Sequence, residues 1–147
     1  MVTLRFSNRD VIVQLKDVSV IIKNDKTCSI LPEGKPEQKE WKGISITSHP
    51  KAVYVAVPDS ELLYVPENMT VKDAKKLSCS VLVLSAPQEK LAKALNPRMV
   101  VLLQSTTETS RAMQKATGIQ TISVDNNSAL NLAAYNALSS QQRLGQF

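Results

Sequence analysis

The feature that most constrains the fold of this chain is a regular alternation of helical and strand patterns in its second half. Three apolar segments have the length of buried strands, and each follows a segment with apolar residues at helical spacing. The strand segments are 80–85, 99–104 and 119–124, and the helical segments are 70–77, 87–95 and 107–117. Because helices between parallel strands act as crossovers, this alternation predicts a parallel or mixed sheet.

The first half has strand patterns without helical ones. Segments 2–6, 11–15, 18–23 and 27–31 alternate or run apolar between short polar turns, which predicts an antiparallel meander. The polar stretch 32–40 predicts a surface loop, and strand patterns resume at 41–47 and 52–57. The predicted fold class is therefore α/β: mixed sheet or sheets in which an N-terminal antiparallel β-meander precedes alternating strand–helix units.

The chain of 147 residues has the length of one domain, which we assign to residues 1–126. A final helix is predicted from Ser128 to about Gln142, within a region (127–147) that has no charged side chain before Arg143. An exposed helix normally carries charges, so this helix either packs on the domain or forms an interface. The candidate interface residues are Leu130, Ala134, Tyr135 and Leu138.

Charge and hydropathy limit the partners and the location of the chain. The net charge of +5 would suit a nucleic acid. However, basic and acidic side chains number nine and seven in residues 1–60 and nine and six in 61–147, so neither half is a basic arm. The chain has no apolar run long enough to span a membrane, and Arg5 interrupts its start. We therefore expect a cytoplasmic protein that does not insert into membranes.

Several catalytic chemistries lack their sequence motifs. The two cysteines, Cys28 and Cys79, form no metal-binding or redox motif, and we expect both to be buried thiols. The four glycines give neither a phosphate-binding loop nor a nucleophile elbow, and the only histidine is His49. Asp59 and Asp125 each follow a predicted strand, where an aspartate more often stabilises a turn than performs catalysis. No cofactor or metal site is predicted.

One stretch of the chain, 44–54, together with the order of the elements, resembles the metallo-β-lactamase fold. In that family a strand ends in T-H-x-H-x-D-H, which binds two metal ions. Here Ser48 and His49 match the first two positions, but Lys51, Val53 and Tyr54 stand where His, Asp and His belong. The family's next histidine ligand is also missing, because Ala86-Pro87 follows the corresponding strand.

This resemblance covers residues 1–126 and implies a half or truncated sandwich that has kept its core and lost its metals. A cationic Lys51 in such a site would repel metal ions. The candidate remnant of the degenerate site is Ser48, His49, Lys51, Tyr54 and Asp59. Pseudoenzymes of this kind usually survive as binding or scaffolding units.

We therefore expect a non-catalytic protein-binding or scaffolding domain, either a subunit of a larger assembly or a homo-oligomer. A nucleic-acid-associated protein that uses its positive charge is the alternative. A hydrolase with an unusual site near His49 is the least favoured interpretation. Its distinguishing feature would be a deep pocket that gathers His49, Lys51 and Asp59.

Overall fold

A computed structural model describes residues 3–7, 10–15, 19–23, 25, 27–31, 40–41, 44–57, 60–74, 77–103, 105–124 and 129–131. The strands are β1 (Thr3–Ser7), β2 (Asp10–Gln14), β3 (Ser19–Ile22), β4 (Cys28–Leu31), β5 (Glu40–Trp41), β6 (Ile44–His49), β7 (Ala52–Val57), β8 (Ser60–Val65), β9 (Val81–Leu84), β10 (Met99–Leu103), β11 (Gln120–Val124) and β12 (Ala129–Asn131). The helices are α1 (Val71–Ala74), α2 (Glu89–Leu95) and α3 (Thr107–Thr117).

The described strands form two sheets. The antiparallel sheet has the order β12-β1-β2-β3-β4. Burial alternates along β2 and β3, because one face of the sheet points to the core and the other points away from it. The core-facing residues are Leu4, Phe6, Val11, Val13, Val20 and Ile22.

The mixed sheet has the order β11-β10-β9-β8-β7-β6-β5. Strands β5 to β8 pair antiparallel, and β8 to β11 pair parallel. Every residue of β9 and β10 is buried, since both faces of this part of the sheet are covered. One face shares a core with the antiparallel sheet, and the other packs against the helices.

The helices that cover the mixed sheet have local signals at their ends. The Thr106 hydroxyl caps α3 by accepting a hydrogen bond from the Thr109 amide at 3.2 Å. Gly118 ends α3 in the left-handed conformation, with φ of 72°, which glycine adopts without steric cost. The result is a three-layer arrangement of antiparallel sheet, mixed sheet and helices.

The coarse fold prediction is confirmed: the protein is α/β, with an antiparallel sheet and a mixed sheet. Two elements differ from the sequence-based expectations. Strand β8 was not predicted, and Trp41 and Ile44 belong to two strands instead of one. None of the described helices is long and apolar enough to cross a lipid bilayer.

The C-terminal prediction is wrong at its first residues. Ala129–Asn131 were expected to begin a helix, but they form β12, which pairs with β1 and places Leu130 opposite Leu4. The edge of β1 offers unpaired backbone groups, and pairing with them outweighs the weak helix preference of three residues. The sheet thus extends past the predicted boundary at residue 126, while the rest of the predicted helix, 132–142, lies outside the described residues.

The two cysteines lie on opposite sides of the mixed sheet. Cys28 packs against the core between the sheets, and Cys79 is buried in the core beneath the helices. Neither of the two forms a disulfide. Burial of Cys79 is as expected, whereas Cys28 is only half-buried.

Candidate functional site

The candidate site lies at the carboxyl edge of the mixed sheet, which is the side where the carboxyl ends of the parallel strands lie. Strand β6 runs in the same direction as β8, so His49, its last residue, lies at the same edge as the ends of β8 and β9. The β6–β7 hairpin, the loop after β8 and the loop after β9 therefore meet at this edge. Sites in α/β proteins usually form at the carboxyl ends of strands.

His49 belongs to the structure of the hairpin. It pairs with Ala52 across a two-residue turn, and its Nδ1 accepts a hydrogen bond from the backbone amide of Lys51 at 3.2 Å. The neutral ring therefore carries its proton on Nε2. A general base needs a free ring nitrogen to accept a proton, and in His49 the acceptor nitrogen is engaged in the turn.

Lys51 connects the hairpin to the helix layer. Its Nζ lies 3.8 Å from the Asp73 carboxylate of α1, and the two side chains are 41% and 40% exposed. An ion pair this exposed contributes at most about 1 kcal/mol. Because both side chains are partly exposed, the pair does not create a desolvated charge.

Tyr54 is directed toward a different group of residues. The pKa of Tyr54 is raised chiefly by burial. The charge of Glu61 and a hydrogen bond to the Glu61 carboxylate raise it further. Burial, and then the charge of Glu61, raises the pKa of the nearby Cys79 thiol to about 12. Tyr54, Glu61 and Cys79 thus form a cluster in which the thiol is protonated at neutral pH, and His49 is not part of it.

Of the remaining predicted residues, Ser48 and Leu130 lie in described strands, and the others lie outside the described residues. Ser48 lies in β6 opposite Val53, and Asp59 lies outside the described residues. Val57 and Ser60, the nearest described residues before and after Asp59, pair at the far end of β7. That end lies roughly 17 Å from Ala52 at about 3.4 Å per residue. Of the candidate interface residues, Leu130 is in β12, and Ala134, Tyr135 and Leu138 lie outside the described part of the chain.

Sequence reasoning missed Gln88, which joins the two loops at this edge. Its Oε1 accepts a hydrogen bond from the Met69 amide at 3.0 Å, and its Nε2 donates one to the Glu67 carbonyl at 3.1 Å. Because its side chain is used in this way, it does not cap α2, whose first residue follows it. The signal available in the sequence was a polar residue directly before a helix. This signal does not indicate which loop the side chain contacts.

A shallow groove of about 510 Å³ lies beside this junction, between residues 68–71 and 87–91. Its floor contains the buried side chains of Met69 and Leu91. The hydroxyl of Ser85, in the loop after β9, is buried and has no hydrogen-bond partner among the described residues. Within the described residues, no three His, Cys, Asp or Glu side chains converge in a way that could hold a metal ion.

Comparisons with protein-family models, curated proteins and solved structures give no match to this chain. The resemblance to the metallo-β-lactamase fold therefore stays a prediction based on sequence.

Proposed function

We propose that this chain is a non-catalytic protein-binding or scaffolding domain, either a subunit of a larger assembly or a homo-oligomer, with a core resembling that of a metallo-β-lactamase. The observation that carries the proposal is the use of polar side chains at the carboxyl edge of the sheet. His49 holds its hairpin, Lys51 pairs with Asp73, and Gln88 joins two loops. These contacts stabilise the carboxyl edge, and among the described residues of this edge none of them joins a nucleophile to a base.

The thiol chemistry of the described residues supports the same proposal. A catalytic cysteine needs a lowered pKa so that the thiolate forms near neutral pH. The pKa of Cys79 is instead raised to about 12, and burial also raises that of Cys28. Neither thiol is prepared for nucleophilic attack.

Surface charge gives less support to the nucleic-acid alternative. Exposed Lys90 and Lys93 on α2, and Arg111 on α3, share these helices with exposed Glu89 and Glu108. Intermixed charges make a weaker polyanion-binding surface than a continuous basic stripe.

The proposal is tested by light scattering on the purified chain and by affinity capture from its host with and without nuclease. We expect a mass above the 16.1 kDa of one chain, or a stoichiometric protein partner that resists nuclease and rebinds after separate purification. His49→Asn keeps an acceptor for the Lys51 amide and should behave like the wild type. A partner lost with nuclease would favour the alternative, and a monomer with no partner would overturn the proposal.

A further inference from the structure

Strand β11 forms one edge of the mixed sheet among the described residues. It pairs in parallel register with β10, from Gln120 opposite Met99 to Val124 opposite Leu103. No other described strand pairs with it. Its sequence, Gln-Thr-Ile-Ser-Val, has no charge and no proline, the two common means of blocking an edge strand.

Among the described residues, the Gln114 side chain protects this edge. The Gln114 Oε1 of α3 accepts a hydrogen bond from the Thr121 backbone amide at 3.0 Å. The Thr121 amide therefore points away from β10, and by the alternation of a strand the Ser123 amide points the same way. Gln114 thus occupies a donor that an added strand would need, and rotation of its side chain would release that donor.

We propose that β11 is the surface through which two copies of this chain pair, antiparallel about a two-fold axis at Ile122, with Gln114 acting as a removable cap. This inference rests on the proposed scaffolding function and names the partner as a second copy. Pairing would join the two mixed sheets into one continuous sheet. Such isologous contacts are the usual way in which soluble proteins form dimers.

The register about Ile122 is self-complementary. Thr121 lies opposite Ser123 of the second copy, and the two residues direct their backbone groups toward each other as a hydrogen-bonded pair requires. Ile122 lies opposite Ile122 of the second copy, so pairing covers an apolar side chain that is only half-buried at the margin of the core. No like charges meet along the strand.

The charges of α3 suit the same two-fold axis. This helix packs beside β11 and carries Glu108 in its first turn and Lys115 in its last, both exposed. The axis that makes β11 antiparallel to its copy also makes the two α3 helices antiparallel. Glu108 of each copy then lies on the side of Lys115 of the other, which gives two favourable pairs instead of two repulsive ones.

The first experiment measures the dimerisation constant by sedimentation equilibrium. Ser123→Pro removes an outward amide without removing a bond to β10 and should abolish the dimer, whereas Ser123→Thr, which keeps the amide, should retain it. Gln114→Ala removes the competing acceptor from both copies and should tighten the dimer by about 25-fold, that is, about fivefold for the one hydrogen bond lost in each copy. Far-UV circular dichroism reports whether each variant is folded.

The second experiment tests the charges of α3 instead of the backbone groups of β11. Glu108→Lys should weaken the dimer at low salt, and adding Lys115→Glu in the same chain should restore it. A dimer unaffected by Ser123→Pro or by the charge reversals would overturn the inference, as would a wild type that stays monomeric at millimolar concentration. A monomer that still binds a purified protein partner would overturn this inference alone and leave the proposed function intact.

Discussion

The parallel half of the mixed sheet and the antiparallel sheet share one core but differ in how they are covered. In β9 and β10 every position is buried, whereas in β2 and β3 only alternate positions are. The helices account for the difference, since they cover the second face of the mixed sheet. Substitutions at neighbouring positions should therefore lower the stability of the protein equally in β9 and β10. In β2 and β3 they should lower it strongly only at every second position.

The largest expected effect is in β10. Leu102 packs beneath the helices and Leu103 packs between the sheets, and both are buried. Leu102→Ala and Leu103→Ala should each lower the free energy of unfolding by about 2–5 kcal/mol, because each leaves a cavity. Urea unfolding with an unchanged m-value would check this. A loss below about 1 kcal/mol at either position would show that one face is open.

The antiparallel sheet should respond unequally at adjacent positions. Ile22 is completely buried in the shared core, while Ile21 lies on the opposite face and is only partly buried. Ile22→Ala should cost about 2–5 kcal/mol and Ile21→Ala roughly 1 kcal/mol. The same urea experiment distinguishes them. Equal losses would mean that the outer face of this sheet is also covered.

The two thiols provide a smaller effect that depends on pH. Because the pKa of Cys79 is raised from 9.0 to about 12 on folding, the folded state holds its proton more tightly than the unfolded state. This stabilisation is complete below about pH 9 and is lost as the pH rises toward 12, by up to about 1.4 kcal/mol per pH unit. Cys79→Ala should flatten the decline in stability between pH 9 and 10.

Labelling of the native protein compares the two thiols directly. Cys28 is half-buried and Cys79 is buried, so a thiol reagent at pH 8 should modify Cys28 first and Cys79 only after unfolding. Cys28→Ser serves as the control in which early labelling should disappear. Equal labelling rates in the native protein would contradict the assignment of Cys79 to a closed core.

The sequence contained enough information to predict most strands and helices. The strand at 52–57 and the helix at 107–117 have the predicted bounds, because apolar runs and end signals are local properties. Strand β8 was harder to recognise, since Glu61 interrupts its apolar pattern and the short segment lies between Pro58 and Pro66. The identity of β12 depends on a partner more than a hundred residues away, which no local pattern reports.

The candidate site was predictable only in part. His49 and Lys51 do lie together at one edge, as their closeness in sequence requires. The contacts of Lys51 with Asp73 and of Gln88 with Glu67 and Met69 join loops that are distant in sequence. Residue types indicate what a side chain can do, but only the packing of the loops determines its partner.

The pairing of β12 with β1 has a consequence for the order in which the protein is made. Strands β5 to β11 are consecutive in the chain, so the mixed sheet can assemble progressively while synthesis continues. The antiparallel sheet is closed by residues 129–131, which leave the ribosome long after Thr3–Ser7. Until then the side of β1 that later pairs with β12 can pair with a strand of another chain, so the risk of aggregation is highest before residues 129–131 are made.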